Sequence, residues 1–450
     1  MRSMNFREWL MLCCAGLLFA ACIVTFVRYG TYQALIRQRG WDNAWTRTIF
    51  ADNPGLQHWT PPRNARPDEV PMDWAAKYPF RTAPTVPAKP ENTFQKTSGR
   101  FRHQTEQFAL WTNHQFPFYQ RFVEMMQACR QTIGWNISTY SDESSATQLP
   151  DGHWTGFQLR TDVSKAAAST DDFAAFCRKR GIHFLFILAP SKVARSDPYA
   201  ETLDSSNANG DAFLHRLDAY DIRSFDLRTF FKQSDEDLHN SFFKSDHHWK
   251  PEAARLAAQK IDCILNDDFG YHADPVLLDP NNYDEVCYPA RHLGAFGQHA
   301  TPMRAVPDDI SLFYPKFPTS FHLDIPSMQI DTDGDFSIFY DTKMLDISNG
   351  YYSSYVYATY LYGDRALISI HNQKKSDGRK LLLVRDSFSD AMAPFLSLGM
   401  EQLRTIDLRY FSGSLRTYIE QERPDTVAIC YTSSVFAWDH IYPRSVFDFR

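Results

Sequence analysis

Two short segments far apart in the chain carry the residue types of one nucleophilic site. Ser245-Asp246-His247-His248-Trp249 supplies a carboxylate and an imidazole two residues apart. Arg385-Asp386-Ser387-Phe388 puts a serine where the apolar run Leu381 to Val384 gives way to a helical pattern. A serine hydroxyl becomes a good nucleophile when an imidazole takes its proton. The imidazole does this best when a carboxylate fixes its tautomer and stabilises the imidazolium. Ser387, His248 and Asp246 are therefore the candidate nucleophile, base and orienting acid of an acyl-transferring enzyme. In an extended segment residues two apart share a face, so Asp246 and His248 are expected on one side and His247 on the other.

The same residues admit plainer readings. Asp-Ser before a helix is a common cap. Asp246, His247 and His248 could simply lead into the helix that follows, or supply imidazole and carboxylate ligands to zinc, although no further ligand is identifiable. Gly294 and Gly297 could let backbone N–H groups approach an oxyanion, because glycine permits close approach. Asp331-Thr332-Asp333-Gly334-Asp335 has the look of a calcium loop, but its glycine is misplaced and the closing glutamate is missing, so a hairpin turn at Asp333-Gly334 is expected instead.

The elements that must position these residues alternate. A helix is expected over 171–180, stopped by Gly181, then a buried strand over 183–189 ending at Pro190-Ser191-Lys192, and a second strand over 222–227. An amphipathic helix over 251–265 has Pro251 at its first position. From 271 to 380 the chain turns rich in Pro, Gly and Tyr with short strand-like runs, read as a β-rich insertion. The alternation then resumes, with strands at 380–385, 404–407 and 425–430 and helices from Phe388 and over 414–421. Such alternation argues for an α/β fold with a parallel sheet covered on both faces and a site at the carboxyl ends of its strands.

A formal charge of −6 gives no basic stripe, so nucleic acid is not an expected partner. The 15% of aromatic residues is high, and core filling accounts for most of them before sugar stacking is invoked. From Trp9 to Val27 the chain is apolar apart from Cys13, Cys14, Cys22 and Thr25, which is just long enough for a membrane-spanning helix. The alternative is a cleaved signal peptide, with Phe19-Ala20-Ala21-Cys22 close to a lipoprotein cleavage box; the apolar residues after Cys22 favour an uncleaved anchor. Arg2 and Arg7 precede the span while Arg28, Arg37, Arg39 and Arg47 follow it, so the positive-inside rule does not support an external body. Nine of the 25 prolines lie between Pro54 and Pro90, a stalk or linker, and a helical segment follows over 104–130. The organisation expected is an anchor at 1–28, a linker at 29–100 and a catalytic domain at 101–450 with its insertion at 271–380. Cys129, Cys177, Cys263, Cys287 and Cys430 form neither a disulfide framework nor a CxxC zinc site, with a single Cys263–Cys287 bridge left open.

Lys244 to Trp249 followed by Pro251-Glu252-Ala253-Ala254 resembles the signature of the DHHW protein family, itself similar to the SGNH-hydrolase-like domains of the alginate O-acetyltransferases AlgJ and AlgX. Phe116-Pro117-Phe118 with Arg121, Ala189-Pro190-Ser191-Lys192, Phe242-Phe243, Leu293 to Gly297, and Arg385 to Phe388 with Pro394-Phe395-Leu396 resemble further segments of that family. The resemblance implies a Ser387-His248-Asp246 triad with no cofactor and no metal, in a body held outside the cytoplasmic membrane by its N-terminal helix. It also implies a polysaccharide or glycan acceptor and the help of a membrane-bound O-acyltransferase. Arg385 stands where the hydrolases usually carry glycine, and Asn372 is the candidate for their asparagine. With Gly294 these are the expected oxyanion or substrate residues. The same triad would serve a carbohydrate esterase, and a non-catalytic envelope scaffold is the reading from another class.

Overall fold

The main sheet is built from segments that are apolar without alternation, because both of its faces are covered. In this computed structural model the described residues are 138–139, 145–149, 152–156, 158, 160–193, 204–231, 240–300, 305–348, 350–351, 354–437 and 444–450. The anchor at 1–28, the linker at 29–100, the helical segment over 104–130 with its Phe116 motif, and Cys129 lie outside them. Among the described residues no helix is long and apolar enough to cross a membrane.

In chain order the elements are strands β1 (Ser138–Thr139), β2 (Ser145–Gln148) and β3 (Trp154–Gly156), helix α1 (Ser164–Arg178), β4 (His183–Ala189), α2 (Ser206–Ala219), β5 (Ser224–Asp226), α3 (Pro251–Phe269), β6 (Tyr283–His292), α4 (Ala295–Ala300), β7 (Asp308–Pro315), β8 (Phe321–Ile325), β9 (Ile330–Gly334), β10 (Leu367–Asn372), β11 (Lys380–Arg385), α5 (Phe388–Leu396), β12 (Gln402–Ile406), α6 (Leu415–Glu422) and β13 (Thr426–Thr432). Strands β1 to β3 form a small antiparallel sheet, and β6 pairs with β7 as a separate hairpin. The main sheet has the order β5-β4-β13-β11-β12-β10-β8-β9. Its first five strands are parallel and its last three antiparallel.

Side chains alternate across this sheet as the strand period requires. Phe186, Leu188, Leu382, Val384, Val427 and Ile429 face α1, α2 and α6 in one apolar cluster. Leu185, Ile187, Leu381, Leu383, Ala428 and Cys430 belong to the cluster on the other face, with α3 and α5. Helix α3 starts with Pro251 in its first turn and ends where Gly270 turns left-handed at φ 67°, which lets the Tyr271 amide donate back to the Leu265 carbonyl at 3.1 Å. Its buried Ala254, Ala257 and Ala258 are small, which lets α3 pack against α5, the helix that follows Ser387.

The register puts the site at one end of the parallel strands. Ala189 pairs with Thr432 and Arg385 with Cys430, so the carboxyl ends of β4, β11 and β13 sit together, as expected for a parallel sheet.

Several expectations need correction. The stretch 271–380 is not one insertion: β8, β9 and β10 extend the main sheet, and only the β6–β7 hairpin stands apart as its own ladder. The β8–β9 hairpin does not turn at Asp333-Gly334, which ends β9 with Gly334 opposite Phe321. It turns at Pro326–Met328, where Gln329 takes φ 55°. Helix α1 begins at Ser164 rather than 171, because the Ala-rich turn Ala166-Ala167-Ala168 is strongly helical without an apolar stripe. Cys263 and Cys287 are free thiols, as are Cys177 and Cys430.

Candidate active site

Ser387 occupies the bend between β11 and α5, with helical dihedrals of φ −62° and ψ −19° and no side-chain cap bond. Capping belongs to its neighbour. Asp386 Oδ1 accepts from the Phe388 amide at 3.1 Å, and Oδ2 accepts from the Thr432 amide at 2.7 Å and its hydroxyl at 3.0 Å. Asp386 thus ties the bend to the end of β13 and leaves the serine hydroxyl for other work. That hydroxyl lies 2.7 Å from His248 Nε2.

His248 is delivered by a closed loop. Phe242 bridges Trp249, the Phe243 amide donates to the His248 carbonyl at 3.2 Å, and the Lys250 amide donates to the Ser241 carbonyl at 2.8 Å. Buried Lys192, just past β4, donates its Nζ to the carbonyls of Phe243, Lys244 and Asp246 at 2.6, 2.9 and 2.7 Å, pinning the loop from inside. Trp249 Nε1 donates to the Phe388 carbonyl at 2.8 Å. One bond thereby joins the base-bearing loop to the first residue of the serine's helix. Tyr357 stacks on the His248 ring, centroids 3.8 Å apart and planes 12° apart.

Asp246 is more crowded than a simple triad acid. Its Oδ2 lies 3.2 Å from His248 Nδ1, off the line of a good hydrogen bond, and 2.8 Å from His292 Nε2. Its Oδ1 accepts from the His247 amide at 2.7 Å and faces His247 Nδ1 at 2.9 Å. The expectation that His247 would point away is therefore wrong: residues 245–248 form bends rather than an extended strand, so both neighbouring rings turn to the carboxylate. His247 is also the open member, with 39% of its side chain exposed against 2% for His248.

Electrostatics set the protonation of this group. Burial opposes ionisation of Asp246, yet attraction to His248 and His247 and the bonds they donate hold its carboxyl well below the usual range. Burial, then repulsion from His247, lowers His248 to about 4 despite Asp246 beside it. The resting pair is a carboxylate and a neutral imidazole, the state a general base needs.

The other sequence candidates fall elsewhere. Gly294 donates its amide to Ser245 Oγ at 2.9 Å, so that N–H is not available to an oxyanion. What the position requires is room: a Cβ there would stand 2.1 Å from Asp246 Cβ. The Gly297 amide is likewise spent on the Ser245 carbonyl, at 2.7 Å. Asn372 ends β10, which runs antiparallel to β12, and so lies at the opposite end of the strands from Ser387, its side-chain amide donating to the Ser397 carbonyl at 3.1 Å. Arg385 is fully buried and cannot meet a substrate; its Nη1 lies 2.6 Å from Asp390, 3.4 Å from Asp364 and 3.8 Å from Asp407. Arg409 joins the same network through Asp364 and Asp407.

Asp246, His247 and His248 also offer one ligand atom each within 4.8 Å of one another. A cation there would have to displace the N–H donors already seated on both oxygens of Asp246, whereas the serine geometry uses them as they stand. Sequence reasoning missed His292, Tyr357 and the role of Lys192. A lysine directly after a buried apolar strand was a usable signal for Lys192, while nothing local marks Tyr357 in a tyrosine-rich stretch.

Residues 234–406 match the family model "DHHW protein". The chain resembles the DHHW proteins. Residues 158–275 match the "SGNH hydrolase-like domain, acetyltransferase AlgX". Among solved structures, Bacillus cereus PatB1 with a sulfonyl adduct is similar at 20% identity and TM-score 0.53, over 68% of this chain and 99% of that one. A DHHW family protein from Eubacterium siraeum is similar at 17% identity and TM-score 0.53, over 67% of this chain and 95% of that one. At these identities the likeness establishes the SGNH-like α/β fold. No curated protein matches.

Proposed function

We propose that the chain is a serine O-acetyltransferase that modifies a cell-surface or exported polysaccharide through an acyl-serine intermediate. The observation that carries this reading is the 2.7 Å contact between Ser387 Oγ and the Nε2 of a neutral imidazole backed by Asp246. The match to an acetyltransferase domain over 158–275 supports the acetyl group as cargo.

In the first step Oγ attacks the acyl carbon as His248 Nε2 takes the serine proton. The carbonyl π pair moves to oxygen, giving a tetrahedral oxyanion. Collapse expels the donor's leaving group, which takes the proton from His248. An acceptor hydroxyl then gives its proton to His248, attacks the acyl-serine and releases Oγ, which recovers the proton. A sugar hydroxyl as acceptor makes a transferase, and water makes an esterase with the same residues. The apolar span Trp9 to Val27 fits an anchor holding this body outside the cytoplasmic membrane, where a membrane-bound O-acyltransferase would hand over the acetyl group.

The test is intact-protein mass spectrometry of the full chain after p-nitrophenyl acetate or, since a similar protein was solved with a sulfonyl adduct, an arylsulfonyl fluoride. One adduct on Ser387, absent in Ser387→Ala and strongly slowed in His248→Ala, is expected. Acetate appearing on an added oligosaccharide rather than in solution separates transferase from esterase. Folded protein without serine-dependent adduct or turnover overturns the proposal.

A further inference from the structure

Asp246 has a second buried imidazole on the oxygen that faces the base. His292 ends β6, which pairs regularly with β7 up to Tyr288 and then shifts register, so that His292 lies opposite Asp308. Such an irregularity re-aims a side chain. Here the aim is fixed from three sides. Asp308 accepts from the amides of Lys244 and Ser245 and from Ser245 Oγ, at 2.8, 2.8 and 2.6 Å. Ser245 Oγ also approaches the His292 carbonyl at 3.3 Å, and Phe243 meets the His292 ring edge-on with centroids 4.6 Å apart. The ring is 2% exposed and its Nε2 lies 2.8 Å from Asp246 Oδ2.

A carboxylate only accepts, so the His292 proton is on Nε2 and its Nδ1 is bare. That Nδ1 is buried with no hydrogen-bond partner among the described residues, which leaves the bond to Asp246 as the ring's one polar tether among them. The same Oδ2 stands 3.2 Å from His248 Nδ1 without a well-aligned bond. At rest, then, Oδ2 is shared, its shorter contact being to His292 and its longer one to the base.

We propose that His292 is a positioning residue for the reaction: it holds Asp246 in place and shares Oδ2, so that the full pull of the carboxylate reaches His248 only once that ring has taken the serine proton. The inference rests on the serine mechanism proposed above and adds to it a fourth residue, which exchanges no proton and touches no substrate. An imidazolium Nδ1–H outcompetes a neutral donor for Oδ2, so the shared oxygen favours the charged intermediate over the resting state. The groups facing this oxygen and the base are His247, His248, His292, Asp364, Ser387 and Tyr357, with Lys192 on the Asp246 carbonyl.

The test uses the full chain with His292→Phe, which keeps a ring but no donor, and His292→Gln, which keeps an N–H near the Nε2 position. Turnover of p-nitrophenyl acetate and nitrogen-15 imidazole NMR are read together. His292→Phe is expected to lower kcat by about tenfold or more, the scale on which outer partners act on the histidines they orient. KM should stay unchanged, the acid limb of the pH profile should rise, and His292→Gln should recover most of the loss. Unchanged kcat and acid limb in folded His292→Phe overturn the inference, as does a His292→Gln loss that only follows thermal stability. Absence of Ser387-dependent turnover in the wild type would instead sink the proposed reaction. NMR then still decides the positioning, since the His248 resonances must move in the Phe variant and return in the Gln variant. In the wild type alone, finding the His292 proton on Nδ1 overturns it without any variant having to fold.

Discussion

The rings of Tyr357 and His248 lie face to face, 3.8 Å between centroids and 12° from parallel, with Ser387 at the Nε2 edge of the imidazole. A stacked ring stops His248 from rotating out of the line that joins Asp246 to Ser387, and it removes water from one face of the base. Among the described residues the buried hydroxyl of Tyr357 has no hydrogen-bond partner, so the ring rather than the phenol is what the site uses. Tyr357→Phe should therefore keep activity and be neutral or slightly stabilising, because an unsatisfied polar group is removed. Tyr357→Ala should cost about 3–5 kcal/mol in urea denaturation, as for other large aromatic truncations, and lower kcat more than it raises KM. A Tyr357→Phe variant as impaired as Tyr357→Ala would show that the hydroxyl itself takes part.

Arg385 precedes the Asp-Ser pair but acts beneath it. Three carboxylates, on Asp364, Asp390 and Asp407, share two guanidiniums in a buried space. Burial, only partly offset by Arg385, pushes the Asp390 carboxyl well above its usual range, whereas Arg409 and Arg385 hold Asp364 below its own against the effect of burial. Removing the central cation leaves uncompensated charge under the nucleophile. Arg385→Met should destabilise by about 3–5 kcal/mol. A lowered carboxyl value stabilises above the unfolded value and loses that contribution as pH falls, so the deficit should be deepest near neutral pH and shrink in acid. Urea titrations at both conditions check this, and a deficit independent of pH would point to lost packing instead.

How much of this was legible beforehand depends on how local the cause is. The strands His183–Ala189 and Lys380–Arg385 were read to the residue, since each is an uninterrupted apolar run bounded by polar or Pro residues. Helix α3 announced its start through Pro251, although it continues four residues past Leu265 to Gly270. The meeting of Asp246, His248 and Ser387 followed from residue chemistry together with the family resemblance. What failed was everything set by long-range register. Strands β8 to β10 read as a separate insertion because the pairing of β10 with β12, and of β8 with β10, leaves no mark in sequence. Asn372 is a candidate by position along the chain alone, and an antiparallel strand carries it to the far end of the strands. Gly294 was rightly singled out as a close-approach glycine, but the group approaching it is Asp246, not a ligand. His292 reaches the site through an irregular register between β6 and β7 that no local pattern encodes.

The pH profile offers the sharpest reading of the base. His248 must be neutral to take the serine proton, so activity is lost as pH falls through its folded-state value. Burial and the neighbouring His247 lower that value from 6.5 to about 4. The acid limb of kcat/KM should therefore lie well below the ordinary histidine range, leaving the enzyme fully active in mildly acid solution. The linkage runs the same way. The unfolded chain binds the His248 proton near 6.5 and the folded chain only near 4, so this contribution to stability is complete above the upper value and declines as pH drops between the two. Because part of the shift is repulsion from a half-exposed ring, His247→Asn should move the acid limb upward toward 6.5 while leaving the fold intact. Rates measured across the acid range for both proteins decide it: an acid limb near 6.5 in the wild type, or one that does not move in His247→Asn, would mean that the pair of histidines does not set the base as the geometry indicates.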